Sequence, residues 1–221
     1  MQEPFGAENA IRFCKAVQRE FNISSDSVYN VGDESDFYFG SSHPKSPEAW
    51  LTPTGELKAL QNKIQAWAKA FPEMKLAVSN HMLRWVRKAF ASEIPKELLR
   101  SYQDVIGAPK GWVWKMEWKV NDSKAQWRMI HGMGYSGILG HRNAVVDSGI
   151  STVIGHLHSN AGVNYVNTGQ GMRWGMNVGC LIDADAFAFE YNKFDRVKPI
   201  LGCGVVIDGG TTPIFIPYER M

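Results

Sequence analysis

Asp33, Asp36, Asn80, His81, His131, His156 and His158 are the side chains whose types and spacing could do chemistry together. Each follows a short apolar run that reads as a β-strand, and loops at the carboxyl ends of strands are where α/β folds build their sites. Four of the six histidines fall at such ends, while His43 and His141 read as a loop residue and a helix start. An Asp carboxylate can bridge two divalent cations. Imidazoles and an Asn carbonyl complete mixed N/O shells that suit Mn, Fe, Zn or Ni better than Ca. Two such ions ~3.5–4 Å apart can clamp a phosphoryl group, and an unligated histidine beside them can protonate a leaving oxygen. Gly32, Gly132 and Gly155 flank three of the loops and allow close backbone approach. Singly, each residue also has a plain reading. Asp after a strand-ending Gly is a turn residue, Asn80 is a helix cap, and His-x-His is a surface pair. The order of the whole set argues against coincidence.

The elements that must position these residues follow from periodicity. Residues 7–21 carry helical spacing (Ile11, Cys14, Val17, Phe21). Strands are expected at 27–31, 75–78, 126–130 and 151–154, and helices at 56–71, 82–91 and 136–147. Residues 37–55 read as a long loop. In 112–118 the alternation places Trp112, Trp114, Met116 and Trp118 on one face of one strand. Asn121-Asp122 is the turn of a hairpin. Short strands punctuated by glycine run to the end. The pattern predicts one α/β domain over 1–221, with two packed mixed β-sheets flanked by helices.

Composition bounds the rest. The chain has 221 residues, 24 Lys plus Arg, 22 Asp plus Glu and a net charge of +2, so it does not read as a polybasic nucleic-acid binder, although a local basic groove stays open. The 44% hydrophobic content excludes wholesale disorder. Cys14, Cys180 and Cys203 are too scattered for a disulfide framework or zinc ribbon and read as reduced thiols of a cytoplasm. No apolar run approaches the ~18 residues of a membrane span. The polar start Met1-Gln2-Glu3-Pro4 does not read as a signal peptide.

GDESD (32–36), SNHMLR (79–84), IHG (130–132) and GHLH (155–158) occur in the order of a known pattern. The chain resembles the calcineurin-like metallophosphoesterases, especially compact members encoded by bacteriophages. That pattern runs D-x-H, G-D-x-x-D, G-N-H-[DE], a lone His before Gly, and G-H-x-H. NVGCLID (177–183) and ILGCGVVIDGG (200–210) are similar to the closing strands of the phage proteins. The resemblance implies a metallophosphoesterase: a hydrolase of phosphomono- or phosphodiesters with two divalent metal ions and an activated hydroxide. Asp33 would bridge the metals. Asn80, His131 and His156 would complete one site, and His158 would serve the other. His81 would protonate the leaving group, and Asp36 would orient a histidine. Arg84 or Arg87 would contact a substrate phosphate, with a solvated helix face as the plain alternative.

Three departures stand out. Ser79 replaces the motif glycine, Met82 replaces the acidic residue after the histidine, and the opening D-x-H motif is missing. Met1–Phe5 reads as the remnant of that motif, with Gln2 in the place of its His as a weak metal ligand. The expectation is an internal methionine at position 1 and a first strand lying upstream. Two functions follow. One is an enzyme, leaning to a nuclease or phosphodiesterase on nucleic acid. The Trp/Lys-rich stretch 110–128 motivates that leaning, with a core hairpin as the plain reading. The other is a metal-binding but catalytically impaired scaffold with a binding or structural role. The expected location is cytoplasmic (the host cytoplasm for a phage protein), with no membrane partner.

Overall fold

The computed structural model of the protein describes residues 8–41, 52–182 and 197–218. Gln2 and His43 lie outside these residues. Helix α1 spans Glu8–Glu20 and leads through a 3-10 turn into the short strand β1, Tyr29–Asn30. The Asn30 side chain ends β1 by accepting from the Gly32 N–H at 2.7 Å. Helix α2 (Pro53–Ala70) starts three residues before the expected Glu56. Its start is set by Thr52, whose hydroxyl accepts from Gly55 N at 3.1 Å, followed by Pro53 in the first turn. Strand β2 (Met74–Ala77), helix α3 (Arg84–Ala91), helix α4 (Tyr102–Ile106) and strand β3 (Trp112–Lys115) follow. β1, β2 and β3 form an all-parallel sheet.

The second half is built around β4 (Glu117–Asn121), β5 (Gln126–Ile130), helix α5 (Gly140–Ser148), β6 (Ser151–Ile154), β7 (Gly162–Asn167) and β8 (Met172–Asn177). These strands form a five-stranded mixed sheet in the order β4-β5-β6-β8-β7. Strands β9 (Gly202–Ile207) and β10 (Thr212–Pro217) make an antiparallel pair of their own. The architecture is mixed α/β, with several sheets flanked by helices. It differs from two mixed sheets in that the first sheet is wholly parallel and the β9–β10 pair is a third sheet. Among the described residues no helix is long and apolar enough to cross a membrane.

One expectation fails at Met116. The alternation of 112–118 does not belong to a single strand. The chain bends at Met116, which is 60% exposed, and passes from the parallel sheet into the mixed one. Periodicity of two cannot register that change, because the pattern is the same in either sheet. The tryptophans of this stretch serve the core. Trp112 donates to Phe71 O, Trp114 to a Glu34 carboxylate oxygen and Trp118 to Leu76 O. Trp112 and Trp127 are buried. These indoles bind protein groups and pack in the two clusters on either side of the parallel sheet. The stretch therefore offers no ready platform for stacking bases.

Helix α5 begins four residues later than expected, after turns at Gly134 and Gly137 with φ of 91° and 72°. By contrast β5 and β6 occupy the expected residues, and α1 lies within the expected segment. The parallel crossovers β1–α2–β2 and β5–α5–β6 put their carboxyl strand ends, hence the chemistry-bearing loops, on the same side of each sheet.

Candidate metal centre

Four loops converge between the parallel and mixed sheets. β1 delivers Asp33, β2 delivers Asn80 and His81, β5 delivers His131, and β6 delivers His156 and His158. One ligand atom each of Asp33, His131 and His156 lies within 4.8 Å of the other two. His131 Nε2 is 3.5 Å and His158 Nε2 is 3.7 Å from Asp33 Oδ2. Asn80 Oδ1 is 2.9 Å from His131 Nε2. The rings of His131 and His156 meet edge to face, with centroids 5.0 Å apart.

His131 shows what such a centre needs. Its Nδ1 lies 2.7 Å from Val31 O, a carbonyl that can only accept, so Nδ1 carries the proton. In the neutral ring Nε2 then offers a lone pair. That lone pair faces two further acceptors, Asn80 Oδ1 and Asp33 Oδ2. Three acceptors converging on one point call for a positive centre, either a second proton on the ring or a cation. Among the described residues Asp33 Oδ1 is buried with no hydrogen-bond partner, as a second oxygen awaiting a cation would be. The donor set of carboxylate oxygen, amide oxygen and imidazole nitrogen fits a transition metal of the Mn, Fe, Zn or Ni type. Asp33, Asn80, His131, His156 and His158 are the residues that would hold it.

Electrostatics point the same way. Burial raises the Asp33 carboxyl, but the imidazoles of His131, His158 and His81 outweigh it and hold the group well below the usual carboxylate range. Burial, with His131 beside it, lowers His156 and keeps its ring neutral and able to ligate. The backbone is strained at both residues, with φ of 61° at Asp33 and 66° at His156, values that non-glycine residues seldom adopt. Asn177, fully buried, ties the His156–His158 loop by donating to Leu157 O at 3.0 Å and accepting from Gly179 N at 3.2 Å. Asn177 opens the stretch NVGCLID, but the sequence assigns it no role there, because a polar residue at a strand end is too common a signal to single one out.

A second layer sits beside the first. His81 Nδ1 is 3.0 Å from Asp36 Oδ1, and Asp36 is buried. Arg84 does not reach free into solvent. Its Nη1 contacts the same Asp36 oxygen at 2.5 Å and Asp36 O at 2.8 Å, while Nη2 lies 2.9 Å from His81 Nε2. Arg84 thus knits the loop after β1 to the start of α3. Ser79, in place of the motif glycine, accepts from Met82 N at 3.2 Å and closes the turn that presents Asn80. Asn80 is not the cap of α3; that position is Leu83. His141 lies buried in α5, apart from these loops.

Glu34, beside Asp33, is buried at 1% exposure and accepts from Trp114 Nε1 at 2.8 Å. The polar run GDESD concealed that burial. Burial pushes its carboxyl up. A carboxyl whose folded pKa lies above its unfolded value of 4.5 favours folding at low pH and loses that stabilisation as pH rises through the folded value. Glu34→Gln keeps an acceptor for Trp114 and removes the ionisation. The variant is therefore expected to be more stable than the parent in urea at about pH 7, with the difference shrinking as pH falls toward about 4. A difference that stays constant over that range would show that the Glu34 carboxyl titrates alike in the folded and unfolded chain, and that burial does not raise it.

No protein-family model matches the chain, and no curated protein matches it.

Proposed function

We propose that the protein is a metal-dependent phosphoesterase of the calcineurin-like kind, hydrolysing phosphomono- or phosphodiesters. The observation that carries this reading is the convergence of Asp33, Asn80, His131, His156 and His158, with His81 held at its margin by Asp36. Bound divalent metal would supply Lewis acidity toward a phosphoryl oxygen and toward water.

The chain's own groups divide the remaining work. Asp33 lends a full negative charge, secured by its depressed pKa. Asp36 accepts a hydrogen bond from His81 Nδ1 and so fixes the ring, leaving Nε2 as the nitrogen available for proton transfer. Arg84 Nη2 now donates to that Nε2. For His81 to give a proton from Nε2, the guanidinium must move off, and an anionic phosphate is a group that would draw it away. Nucleic acid remains one substrate class among several, since the tryptophans that motivated it bind protein groups instead.

Divalent manganese is expected to bind the purified chain and to support hydrolysis of bis(para-nitrophenyl) phosphate. His81→Ala is expected to lower kcat by about 10²–10⁴-fold, the usual contribution of a positioned acid, with metal affinity retained by titration calorimetry. Unchanged turnover in that variant removes His81 from the mechanism. Metal binding without any turnover in the parent would overturn the enzymatic reading and leave a metal-binding scaffold.

A further inference from the structure

A cavity of about 460 Å³ lies between the parallel sheet and the β9–β10 pair. Consecutive residues border it: Ser27 through Asp33 on one side and Gly202 through Val206 on the other. A strand seen by its face contributes every second residue, because side chains alternate. Unbroken runs mean that strand edges face the cavity. The topology agrees, since β1 ends the parallel sheet and β9 ends its pair. β2 occupies one edge of β1, and β10 occupies one edge of β9. Among the described residues no strand pairs with the other edge of β1, or with that of β9 along Cys203–Ile207. Met129, Val153 and Met176 line the cavity from the mixed sheet, and Val17, Trp67 and Phe71 line it from the helical side.

An apolar cavity flanked by two rows of backbone N–H and C=O groups is mismatched to water and to a compact apolar ligand alike. The backbone groups need partners. The side chains around them need apolar contact. An extended peptide meets both needs at once.

We propose that this cavity is a strand acceptor. Its occupant is an extended, proline-free peptide segment with apolar side chains on both faces. The segment pairs with β1 on one side and β9 on the other and joins the two sheets. α1 borders the cavity through Cys14 and Val17, so the peptide's apolar side chains meet that helix on one face and the mixed sheet on the other. A segment of ~5 residues spans ~17 Å, a usual strand length. One end of it would lie beside Asp33, His156 and His158, which also border the cavity. The inference rests on sheet edges and packing and not on the metal reading.

The test is amide hydrogen exchange on the full chain without metal. The probe is a synthetic peptide with a Val-Ile-Val-Leu-Val centre and lysines at both ends. Exchange at Tyr29–Val31 and at Cys203–Ile207 is expected to slow together by at least ~10-fold as the peptide is titrated in. The same peptide with proline at its centre is expected to leave both edges unprotected, because it loses the N–H and cannot join a central ladder. Protection of neither edge, or of one only, overturns the proposal. So does equal protection by the proline peptide, which would mean apolar adsorption. Protection that rises with protein concentration in the absence of peptide would assign the cavity to a second copy of the chain and also overturn it.

Discussion

Asp33→Asn is expected to weaken divalent-metal binding by more than ~100-fold and to abolish phosphodiester turnover. Loss of a ligand should exceed the ~10–100-fold effect of an outer partner. Among the described residues Asp33 is the only carboxylate in the group of ligand atoms within 4.8 Å, so its replacement removes the full negative charge of that group. The amide that replaces it also brings an N–H₂ toward His131 and His158, which face Asp33 Oδ2 at 3.5 and 3.7 Å. The fold itself should survive at neutral pH, because an uncharged amide is easier to bury than a carboxylate.

Acid behaviour gives a second readout of the same variant. The folded carboxyl lies below its unfolded value of 3.8. Its stabilisation is therefore present above that value and is lost as pH falls from it toward the depressed folded pKa. Urea midpoints of parent and variant are expected to converge as pH drops below about 4. Metal affinity within a few-fold of the parent would place the cation elsewhere and remove the centre described above.

Much of that centre was legible in the sequence, and the physical reason is local. β5 and β6 are short apolar runs ended by His131-Gly132 and Gly155-His156, so strand, stop and ligand lie within a few residues of one another. Signals of that kind need no tertiary information. The contacts that complete the site do need it. Val31 O fixes the His131 tautomer across about half the chain, and Asn177 ties the His156 loop from another strand. Arg84 reads as a phosphate contact, or plainly as a solvated helix residue, because its partner Asp36 is 48 positions away in sequence. The split at Met116 was hidden because alternation identifies a face without saying which sheet owns it. The three cysteines looked scattered, yet all border one cavity. Contact between Cys14 and Cys203, together with burial, raises the Cys14 thiol well above its ordinary value, and burial pushes Cys180 up to about 12. Thiols so raised are poor nucleophiles, in keeping with structural rather than reactive cysteines.

Gly32→Ala tests whether the backbone of the first loop is as tightly constrained as the ligand positions require. Gly32 adopts a φ of 102°, outside the range that L side chains readily enter. An added Cβ would sit 2.8 Å from His131 Nδ1, 2.9 Å from Ser79 Cβ and 3.0 Å from Ala77 O. Two penalties therefore act together, backbone strain and overpacking, for an expected loss of about 2–4 kcal/mol in urea unfolding. The second penalty falls on the site, because His131 Nδ1 cannot shift without stretching its 2.7 Å bond to Val31 O and turning Nε2 away from Asp33 and Asn80. Metal affinity is expected to fall along with stability. Gly134→Ala supplies the comparison. Gly134 also has a positive φ, 91°, but an added Cβ meets nothing within 4 Å. That variant carries strain alone, so it should lose less stability and keep parental metal affinity. If the two variants prove equally stable and bind metal equally, close approach at Gly32 does not hold His131 in place, and the orientation of that ring must be set by its hydrogen bonds alone.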